Sequence, residues 1–427
     1  MLARRLQRLI HTGGSAPNLV VAQRVIDKMM AAAHAFMEDE TGEAMVGLVV
    51  PPSLPNGVPT LYVLDTISPD ASAVRHFHTF QQGDDRQDEL IWWLQENWRL
   101  RREKAQNGGS IARFLGVMND KWDVPLSYLG DWHKQPGFMI QPSGGDLMTA
   151  IEWISDPENN TEFLLAPIVT IGHPATIEGY ESIGNFILVP QGGGESLRVD
   201  FWYIDYQTRM FVPVIPAVYP NDQLPELVAY PWHLADEKLL DAELTALNED
   251  GLYVFSTLTL YDADGTLPME ICLVAGRNGS DKLLIVVTPY DYPKSAPSIR
   301  VAPFTPMSDL ADSYKVFERI WQTSTPLDVP YEPGKHLRLL DYIRAAEAKL
   351  GIMKPAPQSP TTHVDVGTRH ASSDVAASSE STASDNPTRT PQSEASLRDE
   401  ASLQTPSSAP DAEPAMTDDA PKTETPA

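Results

Sequence analysis

One stretch organises this sequence: Leu129-Gly-Asp-Trp-His-Lys-Gln-Pro-Gly137, continued by Gln141-Pro-Ser-Gly-Gly-Asp146. Side chains two residues apart on an extended segment point the same way, so His133 and Gln135 can face one point in space. The prolines and glycines that follow force a loop, which can bring Ser143 and Asp146 back toward that point. An imidazole and a carboxylate that converge at a strand end are typical of a zinc site with an open coordination position.

A helix, an acidic segment and a strand precede this stretch. Apolar residues recur at three- and four-residue steps from Asn18 to Met37, which predicts an amphipathic helix. The acidic segment Glu38-Asp-Glu-Thr-Gly-Glu43 ends this helix, and Ala44 to Val50 forms a short apolar strand. Taken alone, such acids are typical of a solvated helix end.

These residues resemble the JAMM motif of MPN-domain metalloproteases, here closest to the prokaryotic-type JAB domain. Most members of that family are isopeptidases that act on ubiquitin-like conjugates. The family motif is His-x-His-Pro, followed by a serine and, three residues later, an aspartate. His133, Pro136, Ser143 and Asp146 stand at the matching positions, whereas Gln135 stands where the family has its second histidine.

The resemblance also extends to the acidic segment. The family places a catalytic glutamate just before a strand, in a pattern that Glu40-Thr41-Gly42 and Gly47 match in spacing. The resemblance therefore implies that Glu40 is the catalytic base, and Glu43 is the second candidate.

The resemblance implies roles for the other motif residues. His133, Asp146 and, less favourably, Gln135 would bind Zn²⁺, and the Ser143 hydroxyl would donate to the oxyanion of the tetrahedral intermediate. Bound zinc lowers the pKa of water from about 15.7 to about 7, and the glutamate accepts the water's proton. The substrate implied is an isopeptide or peptide bond that follows a ubiquitin-like C-terminus.

The substitution at Gln135 leaves three alternatives open, because a neutral amide oxygen is a poorer zinc ligand than imidazole. Gln135 still binds zinc and gives a weak site, or another side chain or a second water takes its place. In the third alternative the site holds no zinc, and the chain is a pseudoenzyme with a hydrogen-bonded polar cluster. His76 and His78 form a second His-x-His pair, but no aspartate follows them at the required spacing.

Further strand candidates complete the first predicted domain, residues 18–220, an MPN-like mixed β-sheet flanked by helices. They are Leu61–Ile67, Phe114–Met118, Phe163–Thr170 and Ser196–Tyr206, and the last alternates well between apolar and polar residues. Prolines between residues 213 and 225 then predict a linker.

The second predicted domain, residues 233–352, begins with a helix and a meander of strands. The segment Pro289-Tyr-Asp-Tyr-Pro293 follows, and the order resembles the ubiquitin-conjugating-enzyme-like and RWD superfamily. Its conjugating enzymes need a cysteine downstream of the Tyr-Pro segment. Cys272 lies upstream in an apolar strand, where a buried, inert thiol is expected. The resemblance therefore implies a non-catalytic binding domain, and the overall fold class is α+β.

Residues 354–427 are rich in Ser, Thr, Ala, Pro and acids, and such a composition predicts a disordered tail. The net charge of −26 argues against nucleic acid as a partner, since phosphates require a basic surface. The single cysteine is typical of a protein in a reducing cytoplasm. The sequence contains no run of about 18 apolar residues, so it predicts no membrane span.

Three functions fit these observations. The first is a zinc-dependent JAMM-type isopeptidase or peptidase that acts on ubiquitin-like conjugates. The second is a catalytically inactive MPN-domain scaffold that binds a ubiquitin-like partner. The third is an unrelated two-domain α+β protein whose motif matches are accidental, and it predicts that Glu40 and His133 lie far apart.

Overall fold

The structure is a computed structural model. It describes residues 16–77, 79–82, 85–107, 120–159, 161–173, 184–191, 196–254, 258–304, 313–331 and 338–352. All of them belong to one compact unit, Met1–Ser393. The strand predicted at Phe114–Met118, the histidine at position 78 and the tail from residue 354 lie outside the described residues.

The described residues mix helices and sheets, which confirms the α+β class. The helices are α1 (Gln23–Ala35), α2 (Asp85–Asn107), α3 (Gly144–Ser155), α4 (Trp232–Ala235), α5 (Glu237–Glu249), α6 (Ser313–Thr323) and α7 (Leu339–Leu350). No helix in the described ranges is both long enough and apolar enough to cross a membrane.

A mixed sheet of eight strands, in the order β13-β1-β3-β2-β6-β8-β10-β9, dominates the first half. A smaller sheet has the order β12-β11-β7, and β4 pairs with β5. The strands are β1 (Asn18–Ala22), β2 (Thr41–Val50), β3 (Thr60–Ile67), β4 (Val74–His76), β5 (Thr79–Gln81), β6 (Leu126–Lys134), β7 (Phe163–Leu165), β8 (Ile168–Ile171), β9 (Phe186–Pro190), β10 (Ser196–Asp200), β11 (Trp202–Asp205), β12 (Val212–Pro213) and β13 (Pro216–Tyr219).

The predicted helix from Asn18 to Met37 is wrong in its first part. Asn18–Ala22 is strand β1, which pairs in parallel with β3 and β13, and the helix begins only at Gln23. The segment Leu19-Val-Val-Ala22 is rich in β-branched residues, which suit a strand buried between two neighbours. Pairing of β1 with β13 also brings part of the predicted linker into the sheet.

Two predicted strands each divide between two sheets. The segment predicted as one strand at Phe163–Thr170 becomes β7 and β8, and it breaks at Pro167, which has no N–H to donate. The segment predicted at Ser196–Tyr206 becomes β10 and β11 and breaks at Phe201. The small sheet formed in this way packs against α3 through a cluster that includes Trp153 and Ile204, and so fixes the helix beside the large sheet.

The second half contains an antiparallel sheet in the order β14-β16-β17-β18-β19, with β15 also paired to β16. Its strands are β14 (Leu252–Val254), β15 (Thr259–Tyr261), β16 (Glu270–Arg277), β17 (Lys282–Thr288), β18 (Ser298–Pro303) and β19 (Thr325–Leu327). Alternate residues of β16 enter different cores, Leu273 with α5 and α7, and Cys272 with α6. Burial raises the pKa of the Cys272 thiol, which keeps it protonated.

A buried ionic network joins β16 to the helices of the second half. Arg277 donates through Nε and Nη2 to Glu347 at 2.5 and 2.7 Å, and through Nη2 to Asp250 Oδ2 at 2.6 Å. Its Nη1 donates to the Asp250 backbone oxygen at 2.7 Å. The Arg277 and Asp250 side chains are each only 2% exposed. Removal of the guanidinium would therefore take charge-assisted hydrogen bonds from two buried carboxylates.

Helix α2 connects the two halves of the compact unit. The Asn97 carboxamide oxygen accepts from Met269 N at 2.9 Å, and Trp93 Nε1 donates to the Ala229 oxygen at 3.0 Å. The Arg86 guanidinium donates to the Leu234 oxygen at 2.8 Å. Each contact pairs a buried or partly buried polar group, so the helix holds a specific position against residues 229–269.

Next to this contact, His233 is 6% exposed, and its Nδ1 has no hydrogen-bond partner among the described residues. Burial lowers the pKa of His233 to about 4. The unfolded chain, with a pKa near 6.5, therefore binds more protons between about pH 4 and 6.5, and stability should fall as the pH falls through that window.

When the pH is lowered from 7.5 to 5, we expect His233 to reduce the free energy of unfolding by about 2 kcal/mol. Denaturant unfolding of wild type and His233→Gln at both pH values measures this difference. The variant should lose less stability on acidification, whereas His34→Gln, a change at an exposed histidine, should behave like wild type. If wild type and His233→Gln lost the same amount of stability on acidification, the lowered pKa of His233 would be contradicted.

Candidate functional site

The end of the β2–β6 pair forms the floor of the candidate site. Thr41 pairs with Lys134 and Gly42 pairs with His133 in an antiparallel ladder. Glu40 directly precedes this ladder, and its backbone N–H donates to the His76 oxygen at 2.9 Å. Glu40, directly before β2, and His133, near the end of β6, therefore lie at the same end of the sheet.

Gly42 is required at its position because its neighbours leave no room for a side chain. An added Cβ would lie 2.3 Å from the Trp132 oxygen and 2.7 Å from Phe80 Cε1. The Phe80 ring therefore covers Gly42 on the face that His133 shares.

Strand alternation distinguishes the two candidate glutamates. Paired residues in an antiparallel ladder share a face, so Glu40 and Gly42 lie on the face of His133 and Glu43 lies on the opposite face. Glu43 is 4% exposed there and accepts a short hydrogen bond from Ser68. Of the two glutamates, Glu40 is the one that can act beside His133.

Ser143 and Asp146 meet at the N-terminus of α3 in a capping box. The Ser143 N–H donates to Asp146 Oδ2 at 2.6 Å, and the Asp146 N–H donates to Ser143 Oγ at 3.2 Å. The Ser-x-x-Asp spacing before an apolar segment is a signature of this motif, which offers a purely structural reason for both residues. Because Oγ accepts in this pair, the Ser143 hydroxyl proton remains available to a ligand.

The loop between Gln135 and Ser143 brings α3 back toward the end of β6. His133 Nε2 lies 4.0 Å from Asp146 Oδ2, and the two side chains are 18% and 32% exposed. A tetrahedral ion about 2.1 Å from each of two donors separates them by roughly 3.4 Å. A small movement would bring the two donors to that separation.

The charge states of the site suit both ligand and base. Burial lowers the pKa of His133, an effect that the charge of Asp146 partly offsets, so the imidazole is neutral at pH 7. Burial and then repulsion from Asp146 raise the pKa of Glu40 to about 7, while Lys134 acts in the opposite direction. A carboxylate with this pKa can accept and return a proton near neutral pH.

Gln135 is 8% exposed, and its Oε1 has no hydrogen-bond partner among the described residues. A buried oxygen in this state needs a donor or a cation. The donor types of His133, Asp146 and Gln135 therefore suit a divalent metal, although this set is less favourable for zinc than two histidines and an aspartate.

Asp131 is a titratable residue near the candidate site that the sequence did not single out. It lies two residues before His133 on the same face of β6, and its Oδ2 accepts from the Tyr128 hydroxyl at 2.7 Å. Burial raises the pKa of Asp131 to about 6. A shift in register between Met45 and Val46 brings Tyr128 and Asp131 together, and nothing in their spacing predicts it.

A separate acidic group lies on the second sheet. Within the described ranges, Asp262, Asp264 and Glu270 are the one group of three His, Cys, Asp or Glu residues whose ligand atoms all lie within 4.8 Å of one another. Lys104 Nζ lies 2.9 Å from Asp262 Oδ2, and Glu270 Oε2 accepts from the Ala263 N–H at 2.9 Å. These contacts explain the group as part of a turn.

Comparison with known proteins identifies no family for this chain. No protein-family model matches it, and no curated protein matches it. Among solved structures, it is similar to the solution structure of protein DSY2949 from Desulfitobacterium hafniense, at 13% identity and a TM-score of 0.23. That match covers 47% of this chain and 93% of the other, and so low a score supports no argument.

Proposed function

We propose that the chain is a zinc-dependent JAMM-type hydrolase with an MPN-like first half, which cleaves a bond after a ubiquitin-like C-terminus. The observation that carries this proposal is the convergence of three groups at one sheet end. His133 Nε2 and Asp146 Oδ2 are 4.0 Å apart, and Glu40, whose pKa is raised to about 7, lies close enough to Asp146 to be affected by its charge.

Each residue has a defined task in this proposal. His133, Asp146 and Gln135 would hold the zinc ion, which when bound supplies Lewis-acid activation of water. Glu40 accepts a proton from the attacking water and returns it to the leaving amine. The Ser143 hydroxyl donates a hydrogen bond to the developing oxyanion, while its Oγ remains an acceptor for the Asp146 N–H.

The cysteine of the second half fits a binding role better than a catalytic one. Cys272 is fully buried, and burial raises the pKa of its thiol, so it is unsuited to act as a nucleophile. We therefore propose that residues 233–352 are a non-catalytic, RWD-like module that recognises a ubiquitin-like protein or its conjugate.

The capping box favours one alternative function. Ser143 and Asp146 already satisfy each other at the start of α3, so their presence does not require catalysis. Without metal, the same surface would serve a catalytically inactive scaffold for a ubiquitin-like partner.

Metal content distinguishes the two functions. We expect purified wild-type protein to bind about one zinc ion per chain, with loss of binding in His133→Ala and Asp146→Ala because each removes a donor. Gln135→His should raise zinc affinity, since imidazole is the stronger ligand. Elemental analysis and zinc titration measure both effects.

A matched control for these variants is His76→Ala, which removes a histidine that is not a proposed ligand. Its zinc content should equal that of wild type. Absence of zinc from wild type even in excess metal would contradict the hydrolase and favour the scaffold. Unchanged affinity in Gln135→His would contradict the placement of the ligands.

A further inference from the structure

A buried hydroxyl lies beside the glutamine that replaces the second histidine. Thr170, on β8, is 0% exposed, and its Oγ1 has no hydrogen-bond partner among the described residues. Buried polar atoms without a partner are uncommon in native proteins, and each requires an explanation. The Gln135 amide oxygen is in the same state.

The register of the sheet makes these two residues neighbours. His133 pairs with Ile168 in the parallel β6–β8 ladder, and Gln135 N donates to the Val169 oxygen at 2.9 Å. This hydrogen bond continues the parallel register by two residues, so Gln135 stands opposite Thr170. Paired residues in a parallel ladder share a face, and this face is that of His133.

Arg198, the residue that pairs with Thr170 on its other side, donates its hydrogen bonds elsewhere. Arg198 pairs with Thr170 across β10 and β8, but its Nε and Nη2 both donate to Asp200, each at 2.7 Å. The Arg198 guanidinium also lies 4.0 Å from the centre of the Phe186 ring. Arg198 therefore does not supply the missing partner of Thr170 Oγ1, and Gln135 is the residue opposite Thr170 on the other neighbouring strand.

We propose that Thr170 is a positioning residue for the metal: with the ion bound, Thr170 Oγ1 would accept a hydrogen bond from Gln135 Nε2 and so aim Gln135 Oε1 at the ion. This arrangement gives each of the two unpartnered oxygens a partner. Outer hydrogen bonds of this kind orient metal ligands, and their loss typically lowers metal affinity about 10- to 100-fold. The inference rests on the proposed metal site and adds a residue that neither the motif nor the resemblance includes.

The test is titration of the full chain with zinc chloride against a competing chromogenic chelator. Thr170→Val keeps the shape of the side chain and removes the hydroxyl, so affinity should fall about 10- to 100-fold. Thr170→Ser should retain most of the affinity. The melting temperature of metal-free Thr170→Val should equal or exceed that of metal-free wild type, because an unpartnered buried hydroxyl is replaced by a methyl group.

Thr66→Val is the matched control. Thr66 is also a buried strand threonine, but its Oγ1 donates to the Ala44 oxygen at 3.2 Å and accepts from Trp132 Nε1 at 2.9 Å. Thr66→Val should lower the melting temperature of the metal-free protein and leave its zinc affinity unchanged.

One double variant tests the coupling between Gln135 and Thr170. In a Gln135→Leu background, where no amide remains to be oriented, Thr170→Val should cause no further loss of zinc affinity. Equal zinc affinity in wild type and Thr170→Val would overturn the positioning role alone, because the metal site itself would stand. A wild-type protein that binds no zinc would instead overturn the proposed function on which the inference rests.

Discussion

Glu40→Gln should lower the rate of zinc-dependent cleavage by a factor of roughly 10² to 10⁴, because it removes the group that accepts the proton of the attacking water. Zinc content should remain that of wild type, since Glu40 is not among the proposed ligands. Cleavage of a ubiquitin-like fusion, measured together with metal content, checks both parts. Wild-type protein that binds zinc but cleaves no such fusion would favour the scaffold.

The pH profile separates a base from a residue that only supports the structure. Because burial and Asp146 raise the pKa of Glu40 to about 7, the wild-type rate should rise with pH through about 7. At pH 5 the rate should be about 100-fold below its plateau. This rise should be absent from the residual rate of Glu40→Gln. Glu43→Gln, a change on the opposite face, should keep the wild-type profile, and loss of the rise in that variant would contradict the choice of Glu40.

Arg277→Met should destabilise the protein by about 3–5 kcal/mol, because it removes the guanidinium that is bonded to two buried carboxylates. Asp250 and Glu347 would both lose charge-assisted hydrogen bonds to the guanidinium. Since domains are stabilised by only about 5–15 kcal/mol, this change should shift the unfolding midpoint strongly. Urea unfolding followed by tryptophan fluorescence measures it.

Arg344→Met is the control for this variant. Arg344 donates to Asp250 Oδ1 at 2.6 Å, but its side chain is 53% exposed. We therefore expect Arg344→Met to lower the free energy of unfolding by no more than about 1 kcal/mol, because an ion pair with a solvent-exposed partner is weak. Similar destabilisation by both variants would contradict the dominant role of burial.

The spacing of residues predicted which candidate side chains share a face, but it did not predict how the strands around them pair. His133 and Gln135 share a face because alternation is fixed by the strand backbone, and Gln135 N continues the pairing with β8. The same rule, applied to Glu40 and Glu43, separates them once the pairing of β2 with β6 is known. The sequence does not contain that pairing, so both glutamates remained candidates.

Long-range pairing also explains what the sequence did not reveal. Asn18–Ala22 fits a helical repeat as well as a strand, and only its contact with β3 and β13 decides between them. Thr170 lies in an apolar segment that predicts a core strand. Its hydroxyl gains significance only from the residue opposite it on β6, which no local pattern specifies.

The Asp146 carboxylate takes part both in the capping box that starts α3 and in the proposed metal site. The oxygen that receives the Ser143 N–H is also the Asp146 oxygen nearest to His133. If a metal binds only when the first turn of α3 is formed, its binding energy adds to the local stability of that turn. Thermodynamic reciprocity then requires that a partner which holds α3 in place tightens metal binding by the same factor. Recruitment of a protein partner to this helix would in that case act as an allosteric activator of the site.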